Sequence, residues 1–171
     1  MAYSEKPTNI KGFTIIEVIM VIVIVGVLVG VSMPRFNSFY AMKLNGAMKK
    51  MVSDIRYTQN LAISTHDTYS VIFDTTGNSY EVRRVSDNSF AVDPLDRGNL
   101  SVNFNTHPRY QGIDIVSAAI GGTSTLRFTW EGVPQNSSGS NLSAEGTINL
   151  SYQGNSGIIY VTPDTGRVRV E

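Results

Sequence analysis

The order of apolar and polar residues divides the chain into three zones. Residues 1–12 are mostly polar, and residues 13–33 are apolar almost without interruption. From Pro34 onward the composition is that of a soluble protein. The pattern therefore predicts a short leader, an apolar segment and a folded domain.

The apolar segment, residues 13–33, is 21 residues long. About 20 apolar residues are needed to cross a bilayer as a helix. Its Val and Ile content alone would suit a buried strand, but strands rarely exceed about 10 residues. The segment is also longer than the apolar region of a signal peptide, and no small-residue cleavage site follows it. The sequence therefore predicts a retained transmembrane helix over residues 13–33.

Residues 34–66 have the pattern of an amphipathic helix. Apolar residues recur mostly three or four positions apart, as one buried helix face requires. Lysines and acids, Asp54 among them, fall largely on other faces. Pro34 is expected to bend the helix where the apolar segment ends. The predicted apolar stripe consists of Phe36, Tyr40, Leu44, Met48, Met51, Ile55 and Ala62.

From residue 67 to residue 171 the apolar period changes to two, which predicts an antiparallel β domain. Gly, Asn, Ser and Pro separate the strand candidates, and residues 134–144 are predicted to form a flexible loop. Residues 75–78 predict a hairpin turn. The fold class is therefore α+β, with a long N-terminal helix packed on an antiparallel β-sheet domain. The predicted strands cover residues 69–74, 79–85, 100–105, 113–117, 125–130, 147–152, 158–162 and 167–170.

The amino-acid composition excludes several classes of functional site but does not indicate a particular function. Lys plus Arg and Asp plus Glu both number 14, so bulk charge predicts no nucleic-acid or acidic partner. The chain has no cysteine, which excludes disulfides, thiolate metal sites and a cysteine nucleophile. His66 and His107 are far apart in sequence and are expected to be solvated surface residues. We predict no enzymatic activity, no metal site and no cofactor.

Glu17 is the one acidic residue inside the apolar segment. A charge at the bilayer centre costs about 2.5–3.5 kcal/mol on insertion scales, so it needs a partner. Cleavage after Gly12 would give Phe13 a positive α-amine one helical turn from Glu17. The alternative is that Glu17 extends to the lipid headgroups. The Gly26–Gly30 spacing likewise fits either a helix-packing face or ordinary membrane-helix glycines.

The Gly12-Phe13 junction, Glu17 and the Val/Ile-rich segment together resemble the type IV prepilin signature. The resemblance implies that prepilin peptidase cleaves after Gly12 and methylates the new N-terminal Phe13. It implies that Glu17 is the carboxylate used in assembly with other pilins or pseudopilins through the N-terminal helix. It also implies a bacterial inner-membrane protein with a single span and a periplasmic domain, which enters a filament after assembly.

Three further segments resemble the GspH/FimT family of minor pilins and pseudopilins: residues 54–85, 128–134 and 166–170. The family fold is a long N-terminal helix packed on two β-sheets, so this pilin-like architecture is expected here. The resemblance implies a minor subunit that helps to initiate filament assembly. Two alternatives remain open, a minor pseudopilin of a type II secretion system and a minor pilin that binds DNA during natural transformation.

The DNA alternative depends on the C-terminal pair Arg167 and Arg169. Strand alternation predicts that both arginines lie on one face, with the neighbouring valines on the other. Two guanidinium groups on an exposed strand can hold successive phosphates. The pair also resembles the GRxR ending of DNA-binding members of the family. The other interpretation is an ordinary terminal strand whose arginines are solvated.

Overall fold

The structure, a computed structural model, describes residues 12–32 and 35–171. The chain divides into two compact units, Met1–Ser38 and Phe39–Glu171. Most of the predicted leader lies outside the described residues, as do Met33 and the predicted bend at Pro34. The leader, span and domain boundaries proposed from the sequence therefore stay predictions.

Within the first unit, helix α1 covers Ile15–Ser32. Its apolar residues are Val, Ile, Leu and Met on every side, so no polar face exists to set against an apolar one. Phe13 and the apolar side chains of the helix are 49–82% exposed. Among the described residues, the structure contains no helix with both the length and the apolar character that crossing a membrane requires.

Helix α2 covers Arg35–Thr65 and packs one face into the domain core. His66 follows it with φ of 53°, and the Asp67 backbone nitrogen donates to the Ala62 carbonyl at 3.3 Å. This pairing is the six-to-one hydrogen bond of a Schellman motif, which ends the helix. The predicted stripe is confirmed where side chains are described: Leu44, Met48, Met51, Ile55 and Ala62 are buried, Tyr40 is half-buried, and the Phe36 side chain lies outside the described set.

The described residues after α2 form nine strands in two antiparallel sheets. The order of the five-stranded sheet is β3-β2-β1-β5-β6, and that of the four-stranded sheet is β4-β7-β8-β9. The α+β class and the two-sheet architecture are thus confirmed. The strands are β1 Tyr69–Asp74, β2 Ser79–Arg84, β3 Ser101–Asn103, β4 Asp114–Ala119, β5 Thr125–Phe128, β6 Pro134–Gln135, β7 Gly146–Tyr152, β8 Asn155–Val161 and β9 Val168–Val170.

The β1–β2 hairpin forms where it was predicted. Asp74 Oδ1 accepts hydrogen bonds from the backbone nitrogens of Thr76 at 3.0 Å and Gly77 at 2.9 Å. Asn78 adopts φ of 48°, a left-handed conformation that asparagine tolerates better than most residues. The Asn78 side chain also accepts a hydrogen bond from the Ile115 backbone nitrogen at 3.0 Å. The turn therefore connects the two sheets as well as its own strands.

Residues 134–144 differ from the flexible loop that was predicted. Pro134–Gln135 forms strand β6 at the edge of the five-stranded sheet. Asn136 Oδ1 accepts hydrogen bonds from the backbone nitrogens of Ser138 at 3.0 Å and Ser140 at 3.1 Å. Leu142 is buried in the core. The segment is a hydrogen-bonded turn that is anchored at both ends.

Two close approaches hold α2 against the β domain. A Cβ atom on Gly157 of β8 would overlap Met48 Sδ, so a larger residue there would displace the end of this methionine side chain. A Cβ atom on Gly46 would lie 3.1 Å from the ring of Tyr110, in the loop before β4. At both positions an added Cβ atom would lie closer to its neighbour than ordinary packing allows, so the helix and the domain approach each other closely there. The helix is therefore seated in the domain at two separate places along its length.

Candidate assembly site and C-terminal surface

The predicted cleavage and assembly residues lie at the start of α1. Gly12, Phe13 and Thr14 precede the helix, and Glu17 is in its first turn. The Glu17 backbone nitrogen donates to the Thr14 carbonyl oxygen at 3.0 Å and to Thr14 Oγ1 at 3.4 Å. Thr14 is therefore the N-cap, and the Thr-x-x-Glu spacing is that of a capping box. This role was not among the predictions, although the motif is visible in the sequence.

The Glu17 side chain lies in an apolar setting. Phe13, Val18, Val21 and Ile22 line a surface depression of about 350 Å³ together with it. A carboxylate in the first helical turn interacts favourably with the helix dipole. Within the described residues Glu17 forms no ion pair. An amine on Phe13, created by cleavage, would be a basic partner within the same depression.

The two C-terminal arginines have different environments. Arg169 Nη2 lies 3.0 Å from Glu145 Oε2, the guanidinium also contacts the Glu171 carboxylate, and it lies 4.0 Å from the centroid of the Tyr160 ring. Hydrogen bonding to Glu145 raises the pKa of Arg169 further above its ordinary value. Arg167 is exposed, and within the described residues its side chain has no partner. In the predicted pair, the charge of Arg169 is therefore balanced by acidic neighbours, whereas Arg167 is available to a ligand.

A groove between α2 and the C-terminal strand contains cations that sequence analysis did not connect. Two adjoining depressions of about 540 and 390 Å³ share Arg56 and Asn60, with Lys49 along the first and Arg167 along the second. Arg56 Nη2 donates to the Val168 carbonyl at 2.8 Å. In the described part of the chain, none of the three cations forms an ion pair. The groove is therefore positively charged although the whole chain is neutral.

Asp54 corrects the prediction that the polar residues of α2 avoid its core face. Asp54 is only 5% exposed. Its carboxylate accepts hydrogen bonds from Tyr80 Oη at 2.7 Å and from Lys50 Nζ at 2.7 and 2.8 Å. Burial raises the Asp54 pKa, against the opposing effect of both donors. Burial and the neighbouring carboxylate raise the pKa of Tyr80 well above 10.0. This arrangement is a structural connection between α2 and β2.

His66 is exposed, in agreement with the predicted surface position, whereas His107 is partly buried. His66 stacks on Trp130 with ring centroids 5.8 Å apart. His107 Nδ1 accepts hydrogen bonds from the backbone nitrogens of Arg109 and Tyr110, both at 3.2 Å, and burial lowers its pKa. Both side chains therefore organise loops. In the portion described by the structure, no group of three or more His, Cys, Asp or Glu residues could hold a metal ion.

Comparison with known proteins identifies the N-terminal segment. The family model described as the prokaryotic N-terminal methylation motif matches residues 7–33. This range includes the predicted cleavage junction, Glu17 and the apolar segment. A search of curated proteins finds no match for the chain.

Two solved structures match the fold over 75% and 77% of this chain at low sequence identity. The minor pseudopilin EpsH from the Type 2 Secretion System of Vibrio cholerae matches with a TM-score of 0.55 and 10% identity, covering 75% of this chain and 96% of that one. The type IV minor pilin FimU of Pseudomonas aeruginosa matches with a TM-score of 0.50 and 16% identity, covering 77% and 90%. The N-terminal motif and this fold confirm the resemblance to type IV minor pilins and pseudopilins.

Proposed function

We propose that this chain, which has a prepilin-type methylation motif and a minor-pilin fold, is a minor pilin or pseudopilin. It is a processed, membrane-anchored subunit that enters a type IV pilus-like filament and helps to initiate assembly. The observation that carries the proposal is the position of Glu17, which lines the same depression as Phe13 at the start of an exposed apolar helix. Such a helix needs lipid or other apolar helices around it.

Processing adds a positive charge, the α-amine of Phe13, beside the negative charge of Glu17. Prepilin peptidase cleaves the bond between Gly12 and Phe13 and methylates the new amine of Phe13. The methylated amine keeps its positive charge, and Phe13 lines the same depression as Glu17. In the membrane this amine can neutralise Glu17 of its own chain. In the filament the same amine and carboxylate can be exchanged between neighbouring subunits.

The proposed location follows from the apolar segment. Before assembly the chain lies in the bacterial inner membrane as a single-pass protein, with its β domain in the periplasm. The length and composition of residues 13–33 support this location. After assembly the α1 helices of adjacent pilins or pseudopilins replace the lipid around it. The partners are therefore the membrane, the peptidase and other filament subunits.

The proposed role is structural rather than enzymatic and uses no cofactor. The polar groups brought together inside the domain, Asp54, Lys50 and Tyr80, satisfy one another and have little access to solvent. Such a network stabilises packing, because an unpaired buried carboxylate would be costly.

Mass spectrometry of the assembled protein tests the proposal directly. We expect Phe13 as the N-terminal residue, with the added mass of a methyl group, and 159 residues remaining from the original 171. Replacement of Gly12 with a bulky residue should leave the full-length chain in the membrane. An intact leader in filaments would contradict the proposal.

DNA capture remains the second candidate function, and one observation favours a modified form of it. Arg167 is available and lies along the same groove as Arg56. The neutralised Arg169 is the weaker half of the predicted pair. Phosphates would therefore bind along the groove rather than across the strand face. The fold matches both EpsH and FimU, so the proposal includes a type II secretion system and a type IV pilus as settings.

A further inference from the structure

The beginning of α2 forms one wall of an apolar groove of about 430 Å³. Phe39 and Met42 lie on this wall and are 61% and 72% exposed. The opposite wall is the loop that contains Pro108 and Tyr110. All of these residues belong to the unit Phe39–Glu171. The groove therefore belongs to the β domain and is separate from the depression beside Glu17.

Contacts within the domain fix the floor of the groove and the loop that forms its opposite wall. Gly46 forms part of the floor, where a Cβ atom would lie 3.1 Å from the Tyr110 ring. His107 stacks on Tyr110 with ring centroids 4.8 Å apart and accepts the backbone hydrogen bonds of Arg109 and Tyr110. These contacts fix the conformation of the loop beside the helix. The apolar atoms consequently line a concave surface rather than a flat one.

The charges around the groove favour an uncharged occupant. Lys43 Nζ donates to the Gln111 carbonyl at 2.7 Å and to Tyr152 Oη at 3.1 Å, so its ammonium group is already satisfied by the domain. Arg109 is exposed at the edge, where an acidic group could approach it. A strongly charged partner would find no complementary set of groups. An apolar ridge with at most one acidic residue fits best.

Helix α1 displays this chemistry. Its apolar side chains are exposed on all sides, and Glu17 is the acidic residue in its first turn. Side chains three and four positions apart on such a helix form ridges that pack into grooves.

We infer that the groove between Phe39, Met42 and Tyr110 docks the apolar N-terminal helix of an adjacent filament subunit. The inference deepens the proposed function and depends on it. It assigns the β domain a contact in assembly, in addition to the packing of the N-terminal helices themselves.

Site-specific photocrosslinking in the full chain tests the inference. Benzoylphenylalanine is placed at Met42, the cells are irradiated, and filaments are sheared off for analysis. We expect an adduct that mass spectrometry maps to the apolar helix of another prepilin-type subunit. Ser53 is the matched control, because it lies about 16 Å further along the same side of α2. It lines the positively charged groove between α2 and the C-terminal strand instead. The Ser53 probe should give at least fivefold less of that adduct.

The outcomes separate this inference from the proposed function. An adduct with lipid, an adduct with another β domain, or no adduct in chains recovered from filaments overturns the groove inference alone. Equal capture of the apolar helix by the Met42 and Ser53 probes also overturns it. If the unprobed wild-type chain keeps its leader and is absent from filaments, the proposed function and this inference both fail.

Discussion

Tyr80 of strand β2 donates a hydrogen bond of 2.7 Å to Asp54, in the middle of helix α2. Tyr80 is 1% exposed, so its hydroxyl has no access to water as a substitute partner. The bond joins two elements whose residues are 26 positions apart in the chain. It therefore contributes to the tertiary fold rather than to either element alone.

Tyr80→Phe removes this donor and leaves Asp54 with Lys50 as its remaining side-chain donor. We expect the free energy of unfolding to fall by about 1.5–3 kcal/mol, the range for hydrogen bonds to charged groups. Denaturant unfolding of the full chain in detergent, followed by Trp130 fluorescence, measures the change. Tyr69→Phe is the control, because the Tyr69 hydroxyl accepts a bond from a more exposed Arg84. Equal losses in the two variants would contradict the special role of Tyr80.

The raised pKa of Asp54 predicts a pH-dependent stability term. The folded chain holds the Asp54 proton more tightly than the unfolded chain does. The stabilisation from this group is therefore complete below its ordinary pKa of 3.8 and is lost as the pH rises through the folded value. We expect the stability of wild type relative to Asp54→Asn to decline over that interval. A difference that stays constant with pH would contradict the raised pKa.

His107 contributes in the opposite sense. Burial lowers its pKa below 6.5, so the unfolded chain binds the proton more readily. Stability from this group is present above pH 6.5 and is lost as the pH falls through the folded value. We expect His107→Gln to flatten this part of the wild-type stability profile. Unfolding midpoints measured between about pH 5 and pH 7 provide the test.

Two roles are predicted for Glu17, a charge used in assembly and a capping box with Thr14, and two substitutions distinguish them. Glu17→Gln removes the charge but keeps a side chain that can complete the capping box with Thr14. Glu17→Ala removes both. We expect both variants to insert into the membrane and both to be lost from filaments by at least tenfold, as measured by immunoblotting of sheared filaments. Normal incorporation of Glu17→Gln would show that capping, rather than charge, is what assembly requires.

The DNA-capture alternative predicts unequal effects of the C-terminal arginines. Each phosphate contact that is lost should reduce the log–log salt slope of duplex binding by about 0.9. Arg167→Ala and Arg56→Ala should each cause this reduction, whereas Arg169→Ala should cause little change. Titration of the purified full chain with fluorescent duplex DNA at several salt concentrations measures the slopes. Equal effects of Arg167→Ala and Arg169→Ala would contradict groove binding, and no binding by wild type would exclude this function.

Local patterns predicted most of the fold. The hairpin of β1 and β2 was predictable because alternation and a short turn lie within 16 residues, Tyr69–Arg84. Strand β6 was not, because two residues are too few to establish alternation. Strand β8 begins at Asn155, three residues before the predicted start, since its first residues are polar and gain their partners only from β7.

The candidate sites were also predictable only in part, because local motifs are visible in the sequence and distant partners are not. The cap at Thr14 is a local motif and could have been found. The burial of Asp54 depends on Tyr80, and the neutralisation of Arg169 depends on Glu145, 24 positions away. Periodicity assigns faces to a helix or strand, but it does not reveal which distant group will meet a particular side chain. The roles assigned to Gly12, Phe13 and Glu17 stay predictions.

The close fit of Met48 against Gly157 has a mechanical consequence. A tensile load applied along α2 would act on the β domain in shear, and Met48 would have to pass the β8 backbone before the helix could slide. The Gly46–Tyr110 contact opposes the same displacement at another point. Because close-packed interiors transmit strain, the load would pass to β8 of the four-stranded sheet and to the loop before β4 of the same sheet. The helix is thus anchored in a way suited to bearing traction.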